Sequence, residues 1–337
     1  MADDPEQRRL QALLRFATEA GSHGSEPVSG ADNDPADRAW LNEALQDYAS
    51  GIFDPVKYMK QQLSIVYRYL QSGENADSSN RHSDIKLEDV HHSLEEVSDN
   101  CDRYDLASDL HKIGGFDVLL QCLKYKESGI CWRACDVIAT AAQNHEYCQN
   151  ALVEMKFLPV LLRLIDDTSA GDKVREKAFY ALSCTLRGND DAVDHLENND
   201  GFSVLVRAMQ SEVPKLKMKC VFFVKSLCED DTKYARIFHE RGIEQQIVGM
   251  LRDHNIEKDD PENLNIVENV LGCLCSLILT FEKSKKECQD TSFGLAPLLR
   301  QMKEKFKSGT GEFDECIRFC DLISEACFND DDTGEDR

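Results

Sequence analysis

Three basic residues stand at matching places along the chain: Arg133, Lys177 and Lys219, each inside an apolar stretch with helical spacing. Bases at one recurring position perform no covalent chemistry; they hold carboxylates or the acidic face of another protein. Lys219 closes the run Lys215-Leu-Lys-Met-Lys, and Lys225 follows, a local exception in a chain of 62 acids and 39 bases. A step of three along a helix sets Asp136, Tyr180 and Phe222 beside these three bases. Two readings stay open. The positions are ordinary solvated helix surface, or they form a basic track on which Tyr180 and Phe222 act as rigid anchors. Phe223 competes with Phe222 for the exposed place.

Other reactive side chains give weaker signals. The 14 cysteines occur singly in apolar helical patterns or four apart, as in Cys131 with Cys135 and Cys316 with Cys320. A structural zinc site needs four converging ligands, usually in close pairs, and no C-x-x-C is present. Reduced thiols filling core gaps are the expected role. His91 and His92 are adjacent, so on a helix they point about 100° apart and do not share an ion. Phosphate-cradling glycine loops, a nucleophile elbow and H-E-x-x-H are missing. Acid pairs such as Asp190-Asp191 and Asp230-Asp231 suit helix N-termini. These observations predict a non-enzyme without metal or cofactor.

A net charge of -23 repels a phosphate backbone, so nucleic acid is not an expected partner. No apolar run is long enough to cross a bilayer, and the start, MADDPEQRRL, lacks a secretory pattern. The expectation is a membrane-free, cytoplasmic monomer, with the nucleus also open to it.

The elements that position these residues repeat. A short apolar helix opens at Gly115, Phe157, Gly201, Gly242 and Gly294, in steps of 42, 44, 41 and 52. A second element carries Arg133, Lys177, Lys219 and Asn269 at one place, in steps of 44, 42 and 50. Both lengthen together, which one insertion at Asp253–Glu262, read as a surface loop, explains. A period near 42 with small residues at close approaches predicts an all-α, armadillo/HEAT-like right-handed solenoid of four to five repeats with flanking helices. Composition divides the chain into a flexible segment with a short amphipathic helix (1–38), a helical cap (39–105), the repeats (106–328) and an acidic disordered tail (329–337). Polar linkers are expected at Gly21–Asp37 and Ser72–Asp84.

Several motifs closely resemble one family. They are Gly201-Phe-Ser-Val-Leu-Val-Arg-Ala-Met-Gln, Pro214-Lys-Leu-Lys-Met-Lys and Leu271-Gly-Cys-Leu-Cys-Ser-Leu. Trp132-Arg-Ala with Gln143-Asn144, Trp40-Leu-Asn-Glu-Ala and Glu315-Cys-Ile-Arg-Phe-Cys extend the likeness over residues 40–328. The family is that of the armadillo-type proteins binding the 70-kDa heat-shock chaperone, with fungal cytosolic and endoplasmic-reticulum exchange factors among its relatives. The resemblance implies a co-chaperone that embraces the chaperone's nucleotide-binding domain with its concave repeat surface and opens the ADP pocket. ADP and client would then leave, with no covalent step by this chain. The expected contact residues are Arg133, Asp136, Lys177, Tyr180, Lys219, Phe222 and Lys225.

Leu10, Leu13, Leu14 and Phe16, near Arg8, Arg9 and Arg15, form a short apolar and basic stretch. It acts either as a tethered client mimic or as a cap packed on the helices after Trp40. The alternative function is another armadillo adaptor or scaffold that binds an acidic protein surface. A transport receptor for basic peptides would need Trp and Asn ladders, and here Trp132 is the only Trp in the repeats and Asn269 the only Asn at the stacked position.

Overall fold

A computed structural model of the protein describes residues 54–74, 85–253, 261–307 and 313–328. These residues hold seventeen α-helices and no strand. Two lead: α1 (Pro55–Glu74) and α2 (Leu87–Cys101). Five triplets follow, beginning with α3 (Tyr104–Lys112), α4 (Gly115–Cys122) and α5 (Ser128–Ala142). The second is α6 (Glu146–Glu154), α7 (Phe157–Asp166) and α8 (Asp172–Leu186). The third is α9 (Asp190–Glu197), α10 (Gly201–Met209) and α11 (Pro214–Asp230). Then come α12 (Thr232–His239), α13 (Ile243–Asp253) and α14 (Pro261–Thr280). The last is α15 (Glu282–Gln289), α16 (Leu295–Lys307) and α17 (Asp314–Phe328). This is an armadillo-type architecture, with two of its three helices per repeat visible in the sequence pattern.

One backbone device recurs in every triplet. The residue turning the chain from first to second helix is left-handed: Gly114 (φ 81°), Lys156 (62°), Asp200 (55°), Gly242 (69°) and Gly294 (58°). This register corrects the glycine alignment of the sequence pattern, because the step of 41 becomes 42. Gly242 and Gly294 serve the turn. Gly115 and Gly201 stand one residue later and serve packing. A Cβ on Gly115 would lie 2.3 Å from Leu110 Cδ1, and on Gly201 2.2 Å from Leu196 Cδ1.

Packing follows the same period. Phe116 meets Phe157 edge-on at 6.0 Å, and Phe179 meets Phe223 at 6.0 Å. Ala134, Ala139 and Ala141 in α5, with Ala178 and Ala181 in α8, are buried and let the third helices approach closely. Each fully buried large apolar side chain contributes about 1.5–3 kcal/mol, so stabilisation is distributed from repeat to repeat. The termini are capped from the sequence: the Glu127 carboxylate accepts from Ile130 N at 2.8 Å, Asn189 Oδ1 from Ala192 N at 3.0 Å, and Asp231 Oδ1 from Lys233 N at 2.8 Å. Pro214 opens α11, where a missing N–H is harmless.

Two expected loops are partly helical. Helix α1 continues to Glu74, with Ser72 Oγ donating to the Tyr69 carbonyl at 2.7 Å, so the first three residues of the expected linker belong to the helix. The stretch Asp253–Glu262 ends α13 and begins α14 at Pro261, because proline at a first helical position favours helix over loop. The expectations for Leu10, Leu13, Leu14 and Phe16, for Gly21–Asp37, for Trp40 and for 329–337 lie outside the described residues. All fourteen cysteines are unpaired, and all but the half-buried Cys184 are buried. Among the described residues, no single helix is long and apolar enough to cross a membrane.

Candidate binding face on the third helices

Helices α2, α5, α8, α11, α14 and α17 pack against one another in chain order. Arg133, Lys177 and Lys219 occupy the same place on α5, α8 and α11, five residues after each helix start. The structure therefore stacks them as the sequence period predicts, yet it does not leave them as a basic track. Arg133 Nε donates to Glu95 Oε1 at 2.7 Å, Lys177 Nζ to Asp136 Oδ1 at 2.6 Å, and Lys219 Nζ to Glu176 Oε1 at 2.7 Å. Each base reaches back to an acid on the preceding helix of this stack, α2, α5 or α8. The stripe is thus a ladder of ion pairs that stitches neighbouring repeats. The physical reason is burial: a half-buried cation must find a counter-charge, and the acidic chain supplies one on every neighbouring helix. Asp136 takes part in this ladder through Oδ1.

Lys225 also leaves the track. Its Nζ lies 3.9 Å from Glu229 Oε1 and 5.4 Å from the centre of the Phe319 ring. Gly272 makes room for it: a Cβ there would stand 3.1 Å from that Nζ.

The aromatic residues behave differently. Phe222 is 47 % exposed while Phe223 is 2 % exposed, so the helix turns the first outward and the second into the core. The Arg187 guanidinium carbon lies 5.6 Å from the centre of the Phe222 ring. Tyr180 is half-buried, with Lys177 and Lys219 ammonium groups 5.9 and 5.3 Å from its ring centre. Burial, and then the neighbouring Cys184 and Asp136, push the Tyr180 phenol up, so at neutral pH it keeps its proton and can donate.

Around these two rings a groove of about 640 Å³ runs over α8, α11 and α14. Its walls include Tyr180, Arg187, Lys219, Phe222, Glu268 and Asn269, with Gln143 and Asn144 at the end of α5. Of the predicted contact residues, Tyr180, Lys219 and Phe222 line it; Arg133, Asp136, Lys177 and Lys225 do not. Arg187, Asn144, Asn265 and Glu268 were not expected there. A signal for Arg187 and Asn144 does exist. Arg187 and Gln143 are the C-caps of α8 and α5, each followed by a left-handed residue, Gly188 (φ 71°) and Asn144 (φ 54°). Those paired turns bring equivalent side chains to one end of the groove. Aromatic faces between charges of both signs suit recognition of a folded protein surface.

The chain is similar over 328 residues to Hsp70-binding protein 1 of Homo sapiens, at 31 % identity, covering 96 % of this chain and 86 % of the relative. The chain belongs to the Hsp70-binding protein 1 family. A family model described as the SIL1/FES1/HPBP1 C-terminal domain matches residues 106–259. Tyr180, Arg187, Lys219 and Phe222 fall within the residues matched by that family model, and Glu268 lies beyond them. The Hsp70 nucleotide exchange factor fes1 of Schizosaccharomyces pombe is 22 % identical over 302 residues, covering 88 % of this chain and 94 % of that one. Among solved structures, a designed armadillo repeat protein superposes with a TM-score of 0.58 at 16 % identity, over 80 % of this chain and 99 % of its own. That likeness places this Hsp70-binding protein 1 family member in the armadillo fold.

Proposed function

We propose that this chain is a nucleotide exchange factor for a 70-kDa heat-shock chaperone and that the third-helix groove is part of its contact with the nucleotide-binding domain. The observation that carries the reading is the pair Tyr180 and Phe222. They are held beside Lys219 and Arg187 in a groove whose wall also carries Glu268 and several side-chain amides, in a chain whose relatives are named for binding this chaperone or exchanging its nucleotide.

The mechanism needs no bond to be made or broken by this chain. Binding the form of the nucleotide-binding domain whose lobes stand apart lowers its affinity for ADP; ATP enters and the client is released. Such a coupling is reciprocal: if the co-chaperone weakens ADP by a given factor, ADP weakens the co-chaperone by the same factor. The ion-pair ladder contributes by stiffening the stack, so that the groove meets the chaperone with little ordering left to do. Fourteen reduced, mostly buried thiols fit a reducing compartment, which favours the cytosol.

Reciprocity provides the test. The affinity of the purified chain for the chaperone's nucleotide-binding domain is measured without nucleotide and with saturating ADP. Weaker binding in ADP by at least about fivefold is the expected result, from the usual size of such couplings. Equal affinity in both states would leave a scaffold that binds the chaperone without acting on its nucleotide.

A further inference from the structure

Away from the groove, where the fourth triplet meets the fifth, three potential ligands converge. His239 ends α12, Glu244 lies in the first turn of α13, and Glu287 is on α15. The His239 Nδ1 atom is 3.0 Å from Glu244 Oε1 and 3.3 Å from Glu287 Oε2, and one donor atom of each residue lies within 4.8 Å of the other two. Glu244 is 0 % exposed, and its second oxygen, on the carboxyl group that faces His239, has no hydrogen-bond partner. Ser284, also fully buried, donates to the oxygen that faces the imidazole.

Two carboxylates in such a place demand positive charge. A buried ion loses several kcal/mol of hydration unless it is compensated, and a second anion beside it adds repulsion. The α13 N-terminus offsets part of one charge. One imidazole proton shared between two carboxylates still leaves the second Glu244 oxygen unsatisfied. A divalent cation would compensate both carboxylates at once, and the free second oxygen leaves Glu244 able to bind it through either or both of its oxygens.

We propose that His239, Glu244 and Glu287 form a binding site for a divalent cation of the zinc class that ties the fourth repeat to the fifth. The donor set favours this class. One imidazole nitrogen and two carboxylate oxygens, with water as a fourth ligand, match a three-residue zinc site, whereas calcium and magnesium take six or more oxygens. Tetrahedral bonds of about 2.0 Å imply ligand–ligand edges of about 3.3 Å; the His239–Glu287 edge has that length at 3.3 Å, and the His239–Glu244 edge, at 3.0 Å, is slightly shorter. Ser284 fixes the Glu244 oxygen that faces the imidazole, and the Phe281 ring meets the His239 ring edge-on at 5.3 Å, fixing its plane. Glu287 retains 30 % and His239 19 % of their side-chain exposure, so an ion has a way in. A search for close Cys and His pairs passes over this site, because its ligands are of mixed type and come from three helices.

The full-length chain, stripped with a chelator, is titrated with zinc chloride by calorimetry. One equivalent binds, and Glu287→Gln weakens it by at least about tenfold. The cobalt-substituted protein shows ligand-field bands without the intense thiolate-to-cobalt charge-transfer band, which separates this site from the cysteines. Zinc also slows amide exchange in α12 and α15 of the unmodified chain, a readout that stands if the variant does not fold. Absence of saturable binding, equal affinity in Glu287→Gln, a thiolate band, or unchanged exchange in both helices each overturns the site.

Discussion

Truncating Phe222 to alanine isolates the groove from the fold, because this ring is the large aromatic that α11 turns outward. A phenylalanine presents roughly 200 Å² when fully exposed, so 47 % exposure leaves roughly 90 Å² for a partner to cover. At ~25 cal/mol per Å², covering it is worth about 2 kcal/mol, or about 30-fold in Kd. Loss of the ring also removes the face beside Arg187, which adds up to about 1 kcal/mol while that pair stays in contact with water. Fold stability should change by less than about 0.5 kcal/mol, since the substitution is on the surface. Phe223→Ala is the contrast: its ring is 2 % exposed, and its loss should cost about 3–5 kcal/mol of stability. Calorimetry against the chaperone's nucleotide-binding domain, beside thermal unfolding of the free variant, reads both quantities. If Phe222→Ala binds within threefold of the parent with its fold intact, the groove is not the contact and the argument from exposure fails.

Two further outcomes concern the architecture. In a double-mutant cycle on Lys177 and Asp136, whose side chains are 27 and 26 % exposed, each single alanine should cost about 1–2 kcal/mol and the pair less than their sum; strict additivity in urea unfolding would remove the stitching role. Burial pushes the thiols of Cys101, Cys122, Cys148, Cys273, Cys316 and Cys320 up to about 12, above their unfolded value of about 8.5. The folded state therefore retains protons that the unfolded chain releases, so stability is full below about pH 8.5 and falls by about 1.4 kcal/mol per thiol per pH unit above it. Urea midpoints measured under reductant from pH 7.5 to 10 should drop steeply over the upper half of that range, and a flat profile would contradict the buried, reduced assignment.

The second and third helices of each repeat were legible because they carry apolar stripes with a stable period, as in Gly201-Phe-Ser-Val-Leu-Val and Lys219-Cys-Val-Phe-Phe-Val. The first helices were not. α15 reads Glu-Lys-Ser-Lys-Lys-Glu-Cys-Gln and buries only Ser284 and Cys288, too little for a periodic signal. Glycine identity misled the register at Gly242 and Gly294, where the residue serves a left-handed turn that Lys156 and Asp200 make elsewhere. The ladder was hidden for another reason: its bases recur at one helical place, but its acids do not. Glu95 and Asp136 sit on the ninth residue of their helices, while Glu176 sits on the fifth, one turn earlier. The exposure of Phe222 over Phe223 depends on which side of α11 meets α8, a property of packing that adjacent aromatics do not reveal. The His239, Glu244 and Glu287 cluster unites three helices, and no spacing rule spans them.

Release of a fluorescent ADP analogue from a purified 70-kDa heat-shock chaperone, followed by stopped flow with and without this protein, tests the central claim most directly. The release rate should rise with the concentration of the chain and saturate, and Phe222→Ala should shift that dependence to about 30-fold higher concentration by the affinity worked out above. A release rate that stays at the chaperone's own value while the two proteins are bound to each other contradicts the account.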